Sequence, residues 1–435
     1  MAREVTDRDH PGNAPALAGN AVTAAGRRPK VFLHIGEPKT GTTFLQQVIW
    51  RNRAALADQG VVLPGHHPQD HFRASQDLRG IEKLDSDPAG SWAGEWEILA
   101  TQARRAPRAA VISHELFSAA DAYQAEQAVK SLEPAEVHLV LTVRDMGTLL
   151  PAEWQETVKH RNASSWEDWL ADVIDRESVA VDRREWWFWR VHDTLAILDL
   201  WSRHIPAERV HLITAPQRGA DPGLLWQRFA ALLEVDPDSV DLSRARANAS
   251  LGLAEVEFLR RLNQQLSAEV PDWFYMWHVK ETVAHQAFAS RPAGVRLVLP
   301  AARLDWARQH ADGLISGLRA SSYDIVGDLD ELRPQAPAEP AVSPADQPVE
   351  QMLDAAVQAA AALVLNQYQK EHPAARPQKG LIGRGALADR LESTVAASPR
   401  IKRTVRELSS RHSSVRRLRI LAWRVLERSR SRNNP

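Results

Sequence analysis

The chain has 435 residues, with 54 Lys and Arg against 55 Asp and Glu and a formal net charge of −1. Bulk attraction to nucleic acid is therefore not expected. Cysteine is absent, which excludes disulfides, thiolate metal sites and cysteine nucleophiles. No apolar run reaches the ~20 residues of a membrane-spanning helix, and the N-terminal stretch lacks the apolar core of a signal peptide. The expectation is a soluble, cytoplasmic protein.

Residues 1–28 are rich in Ala, Gly and charge without periodicity, which predicts a disordered tail. Residues 31–35, VFLHI, read as a buried strand. Gly36, Pro38 and Gly41 then force a tight turn, and Thr42 and Thr43 open a helix expected to run to about residue 58. Phe44, Leu45, Val48 and Ile49 form its apolar side, and Gly60 stops it. Strand, Gly-bounded loop and helix together cradle a phosphate, because loop N–H groups and the positive end of the helix dipole point at the anion. The loop is close to a Walker A sequence, but Thr42 stands where that motif requires Lys, and the lysine is Lys39, inside the loop.

Residues 61–64 are extended, and 65–80 read as a polar loop. Its His66, His67 and His71 are taken as solvated or substrate-lining rather than as metal ligands. A helix is expected over 92–105 and a second buried strand over 109–113, followed at once by His114 and Glu115. Titratable groups at the C-terminal end of a parallel strand face the ligand crevice of an open sheet. A third strand over 137–143 ends in Arg144 and Asp145, and another covers 210–214. Between them Trp154, Trp166, Trp169 and the run 185–189 are read mainly as helical packing with some acceptor-site lining. Helices are expected over 193–204 and 302–319, with a basic loop over 244–252. The alternation predicts an α/β domain over 29–333, three layers αβα around a central parallel sheet. A Pro/Ala linker (334–349), a helix (350–371) and a basic tail (372–435) form an α-helical and disordered C-terminal extension.

The displaced lysine resembles the phosphosulfate loop of sulfotransferases that use 3′-phosphoadenosine 5′-phosphosulfate (PAPS), with its P-K-[TS]-G-[TS]-[TS] core. Pro38, Lys39, Thr40, Gly41, Thr42 and Thr43 match it at every position. The resemblance implies a P-loop-like fold and transfer of a sulfuryl group from PAPS, without a metal, to a hydroxyl or amine of an acceptor. That acceptor would be a glycan, a lipid or a small metabolite. It further implies that Lys39 stabilises the leaving phosphate and that Thr40, Gly41, Thr42 and Thr43 hold it. Glu115 matches an S-x-E pattern and becomes the preferred base, with His114 beside it. Arg144 matches the arginine that holds the 3′-phosphate. The serine expected two turns later is missing, since Pro151, Ala152 and Glu153 stand there, and Thr148 one turn earlier is the substitute. Arg244, Arg246, Asn248 and Ser250 are further candidates for phosphate contacts.

Two other readings remain open. A P-loop kinase or NTPase could use Asp145 as a Walker B carboxylate, and a non-catalytic relative could keep only nucleotide binding. From residue 373 onward sixteen Lys and Arg face four Asp and Glu, a net of +12, so the rest of the chain carries −13. Within that tail Val415, Leu418, Leu421, Ala422, Val425 and Leu426 share one helical side. Arg416, Arg417, Arg419 and Arg424 lie around the other, with Trp423 near the boundary. Such a helix can lie on an anionic membrane, which would put the protein peripherally at the inner membrane. A merely basic, disordered tail is the equal alternative, and a nucleic-acid role is not expected.

Overall fold

The computed structural model describes residues 28–81, 92–178, 186–243, 245, 250–266, 269–288, 291, 294–338 and 340–372. Contacts divide the chain into two units, Met1–Asn366 and Gln367–Pro435. The sheet and the candidate site lie in the first. The expected tail helix over 415–426, the N-terminal tail to residue 27, and Arg244, Arg246 and Asn248 lie outside the described residues.

In chain order the site-bearing half is β1 (Lys30–His34), α1 (Thr42–Arg51), α2 (Arg53–Asp58), β2 (Val61–Val62), α3 (Pro68–Leu78), α4 (Glu95–Arg104), β3 (Ala109–Ser113), α5 (Ala122–Ser131) and β4 (Glu136–Val143). There follow α6 (Met146–Lys159), α7 (Trp166–Ser178), α8 (Trp187–His192), α9 (Thr194–Ser202), β5 (Val210–Thr214), α10 (Leu224–Leu233), α11 (Leu253–Gln265) and α12 (Asp272–Tyr275). A π-helix (Met276–Ala287), α13 (Leu304–Ala320), β6 (Asp324–Val326) and α14 (Val349–Glu371) complete the described elements used below. Among the described residues no helix is long and apolar enough to cross a membrane.

The protein is α/β, with a six-stranded, all-parallel sheet in the order β2-β3-β1-β4-β5-β6, flanked by helices. From β1 the chain runs out to the edge strand β2, returns to β3 between the two, and then crosses to β4 on the other side of β1. That reversal beside β1 is the switch point at which ligands sit in open α/β sheets. Register fixes the crevice: His34 pairs with Ser113 on one side and Val140 on the other. The residues that follow the three strands, Gly36, Glu115 and Arg144, therefore leave the sheet at the same edge. Alternation along β1 sorts the two faces. Val31, Leu33 and Ile35 join a core with α4, α5 and α9, whereas Phe32 joins another with Leu45, Val48 and Ile49 of α1 and Trp226 and Phe229 of α10. A third core gathers Trp154, Trp166, Trp169 and Trp189 with residues of α11 and the π-helix. These tryptophans are buried packing groups, whereas Trp187 is exposed.

Two sequence expectations need correction. The helix after the loop does not run unbroken to residue 58; it ends at Asn52 and restarts as α2. Residues 65–80 are not a loop, because α3 occupies most of them. A capping box between His67 and Asp70, with Pro68 at the first helical position, starts this helix. Its buried face is polar (His71, Ser75, Gln76), which hides the helical period from an apolar count. Of the histidines of this segment His66 is exposed, and the other two are used structurally. His67 caps α3, and His71 is buried between the Pro64 carbonyl and the backbone of Ser113. Within the expected linker, Ser343 donates to Glu167 of α7 and Pro344 is buried.

Candidate active site

The loop from 36 to 43 is held from below. Gly36 has φ 138°, and a Cβ there would stand 3.1 Å from the Glu115 carbonyl oxygen, so the close approach requires glycine. Ser118 N donates to the Ile35 carbonyl, seating the short turn Glu115–Ala119 directly against the loop. Thr40 turns its hydroxyl inward, between the Glu37 carbonyl and the Thr142 hydroxyl. Arg144 donates to the Lys39 carbonyl at 3.0 Å, tying the end of β4 to the loop crest. Gly41, at φ 100°, precedes α1; a side chain there would run into Leu225. No side chain caps α1, so the amides of its first turn face the crevice without a protein acceptor from a capping residue.

Lys39 projects from this crest to Glu156 of α6, Nζ to Oε2 2.8 Å. Lys159 meets the same oxygen at 2.7 Å, Lys280 of the π-helix meets Oε1 at 2.9 Å, and His160 lies 3.2 Å from Oε1. Burial raises the Glu156 carboxyl, but His160 and the three ammonium groups outweigh it and hold the group far below the usual carboxylate range. Burial likewise works against the charge on Lys39, yet Glu156 and Glu153 dominate and its pKa is raised. For Lys159 burial wins, helped by the like charges of Lys39 and Lys280, and its pKa is lowered.

Beneath the loop lies the opposite arrangement. His192, at the end of α8, sits 3.6 Å from Glu37 and 3.7 Å from Glu153, all three buried. These distances make ion pairs without hydrogen-bond geometry. Burial pushes the imidazole toward neutrality, but the two carboxylates outweigh it and raise its pKa to about 9. Thr194, at the start of α9, donates to the other face of the Glu37 carboxylate.

Glu115 accepts from Gln46 of α1 at 2.9 Å. Burial raises it, but His114, the Gln46 hydrogen bond and Lys39 together bring it below the ordinary value, so it is ionised at neutral pH. His114 caps the turn by accepting from Leu116 N through Nδ1, and its ring packs on Phe72. Burial lowers its pKa, against the raising effect of Glu115. His34 is buried on β1, bonded to Ser113 and lowered to about 4 by burial. Asp145 caps α6 by accepting from Thr148 N at 2.9 Å.

No protein-family model matches this chain, and no curated protein matches it. One solved structure is similar. It is a sulfotransferase from Alicyclobacillus acidocaldarius, at 16% identity over 51% of this chain and 87% of that one, with a TM-score of 0.30. So distant a likeness carries no function to this chain, and the site is read from its own residues.

Of the residues singled out in the sequence, Lys39, Gly41, Glu115 and Arg144 meet at the loop. Thr43 is partly exposed in the first turn of α1, Thr42 is buried, and Thr40 leaves its hydroxyl inside. Thr148 is exposed on α6, with its amide taken by Asp145, and Ala152 lies one turn beyond it. Ser250 is exposed. Sequence reasoning missed Glu156, Lys159 and Lys280, and the Glu37–His192–Glu153 cluster. Within α6 the spacing of Glu156, Lys159 and His160 reads as an ordinary solvated i,i+3 and i,i+4 pairing. No local signal brings in Lys280, more than a hundred residues away.

Proposed function

We propose that this protein is a sulfotransferase that moves a sulfuryl group from PAPS to a hydroxyl or amine of an acceptor. The observation that carries the reading is Lys39, a lysine on the loop crest next to the uncapped first turn of α1. A lysine after Gly41, as phosphoryl-transfer loops require, is absent, and Thr42 in that position is buried. Asp145, the alternative Walker B carboxylate, is engaged in capping α6.

In this reading the amides of Gly41, Thr42 and Thr43 would hold the 5′-phosphate at the helix N-terminus. Glu115, ionised and facing the loop, takes the acceptor's proton. The acceptor oxygen or nitrogen bonds to sulfur, and the bond from sulfur to the bridging oxygen breaks. The electron pair leaves with 3′-phosphoadenosine 5′-phosphate (PAP). Lys39 stabilises the charge that develops on that phosphate. Arg144 is the cation for the 3′-phosphate, and its bond to the Lys39 carbonyl would couple that subsite to the loop.

Calorimetry on the full chain tests this. PAP should bind at least tenfold more tightly than AMP, since one charge-assisted contact contributes about 1.5–3 kcal/mol. Equal affinities for the two would end the reading, and a preference for ATP would point to the NTPase alternative.

A further inference from the structure

The chemistry above uses one lysine of a cluster that has three. Lys39 comes from the loop, Lys159 from the last turn of α6 and Lys280 from a π-helix. All three converge on the two oxygens of one carboxylate, Glu156. Among the groups in direct contact, one negative charge meets three ammonium groups, a surplus of two positive charges before His160 is counted, with Glu153 and Glu115 as the further anions that act on Lys39. The cluster is not sealed: side-chain exposure is 25% for Lys39, 19% for Glu156, and 14% for both Lys159 and Lys280. Crowded like charges in partial burial are costly without a compensating anion; burial first, and the charges of Lys39 and Lys280 after it, lower the pKa of Lys159. Lys280 is delivered by a wide-turn segment, Met276–Ala287, a rare backbone form that recurs at functional sites.

We propose that Lys39, Lys159 and Lys280 form one oxyanion subsite, that the Glu156 carboxylate occupies its seat in the unliganded protein, and that a sulfate- or phosphate-sized dianion takes that seat on binding. A dianion satisfies the surplus that a carboxylate leaves, and it presents enough oxygens for three ammonium donors. Glu156 is then an internal counter-ion that keeps the lysines gathered and sets the anion affinity by competing for them. The inference rests on the reading of the loop as the donor site. The seat receives either an end of the donor or an anionic group of the acceptor.

Inorganic sulfate is the probe, titrated calorimetrically into the full chain and into Lys280→Gln and Glu156→Gln. Lys280→Gln should weaken sulfate binding about tenfold, the loss of one charge-assisted contact. Glu156→Gln should strengthen it by a similar factor, an outcome opposite to that of simple structural damage. If Glu156→Gln fails to fold, Lys280→Gln alone decides. Sulfate affinities within twofold of the native protein in a folded Lys280→Gln variant overturn the subsite. That result is separable from failure of the sulfotransferase reading, which is decided by PAP against AMP. Repeating the titration with bound nucleotide finds the source of the natural anion. Exclusion of sulfate by PAPS but not PAP assigns the seat to the sulfuryl end, and exclusion by both assigns it to the 5′-phosphate. Binding in the presence of either assigns it to the acceptor.

Discussion

Two charge clusters flank the 36–43 loop, and they are inverses. Under the loop one imidazole stands between two carboxylates; over it one carboxylate stands among three lysines. The first is dry, with His192 fully buried and Glu37 and Glu153 almost so. The second opens to solvent. The difference separates holding from binding. A buried imidazolium between two anions has no room for another ion and sets the position of Glu37, hence of the loop's first turn. A half-open cluster with surplus positive charge can exchange its carboxylate for a ligand.

Breaking the buried cluster should have the largest effect. His192→Leu leaves two carboxylates in the interior without their cation and should cost about 3–5 kcal/mol of stability, measured by urea unfolding. A loss below about 1 kcal/mol, the scale of an ordinary exposed pair, would show that the cluster is not a structural pin. The open cluster should respond in rate instead. Lys39→Ala should cut release of PAP from PAPS by about 10²–10³-fold, the scale of losing a group that stabilises the leaving charge. Its unfolding midpoint should stay close to native, because Glu156 keeps Lys159 and Lys280. Near-native turnover would remove Lys39 from the chemistry.

Glu115→Gln should lower turnover by about 10²-fold with PAP affinity nearly unchanged, as expected for a positioned base. Should His114→Ala show that pattern and Glu115→Gln not, the base is His114. The smallest effect is in pH. The folded pKa of His192, about 9, lies above its unfolded value of 6.5. The stability it contributes is therefore complete below pH 6.5 and disappears as pH rises through 9. Urea midpoints between those limits should fall with pH in the native protein and fall less in His192→Leu; identical slopes would count against the charged form.

The sheet was legible in the sequence because parallel strands buried on both faces are written as continuous apolar runs, as in 31–35, 109–113 and 137–143. The loop was legible because glycines, Lys39 and hydroxyls are adjacent in the chain. Helix α3 was not, since His71, Ser75 and Gln76 fill its buried face. The two charge clusters were not either. Glu37, Glu153 and His192, like Lys39, Glu156 and Lys280, are scattered across the chain and meet only after α6, α8 and the π-helix have packed. A lone charged residue on a helix reads as solvated until its partner is known.

Among the described residues, three non-glycine residues have positive φ: Lys39 at 61°, Arg161 at 76° and Glu234 at 55°. Arg161 and Glu234 follow the last turns of α6 and α10, where a left-handed residue is the usual way to end a helix. Lys39 ends nothing. A left-handed conformation costs an ordinary residue about 1–2 kcal/mol, and glycine would adopt it freely. At this one position the requirements of folding and of chemistry diverge. The backbone calls for a residue without a side chain, while the crevice calls for a cation at the crest. Screens that reward thermal tolerance should therefore drift toward Gly at 39 and yield a firmer loop that has lost its work.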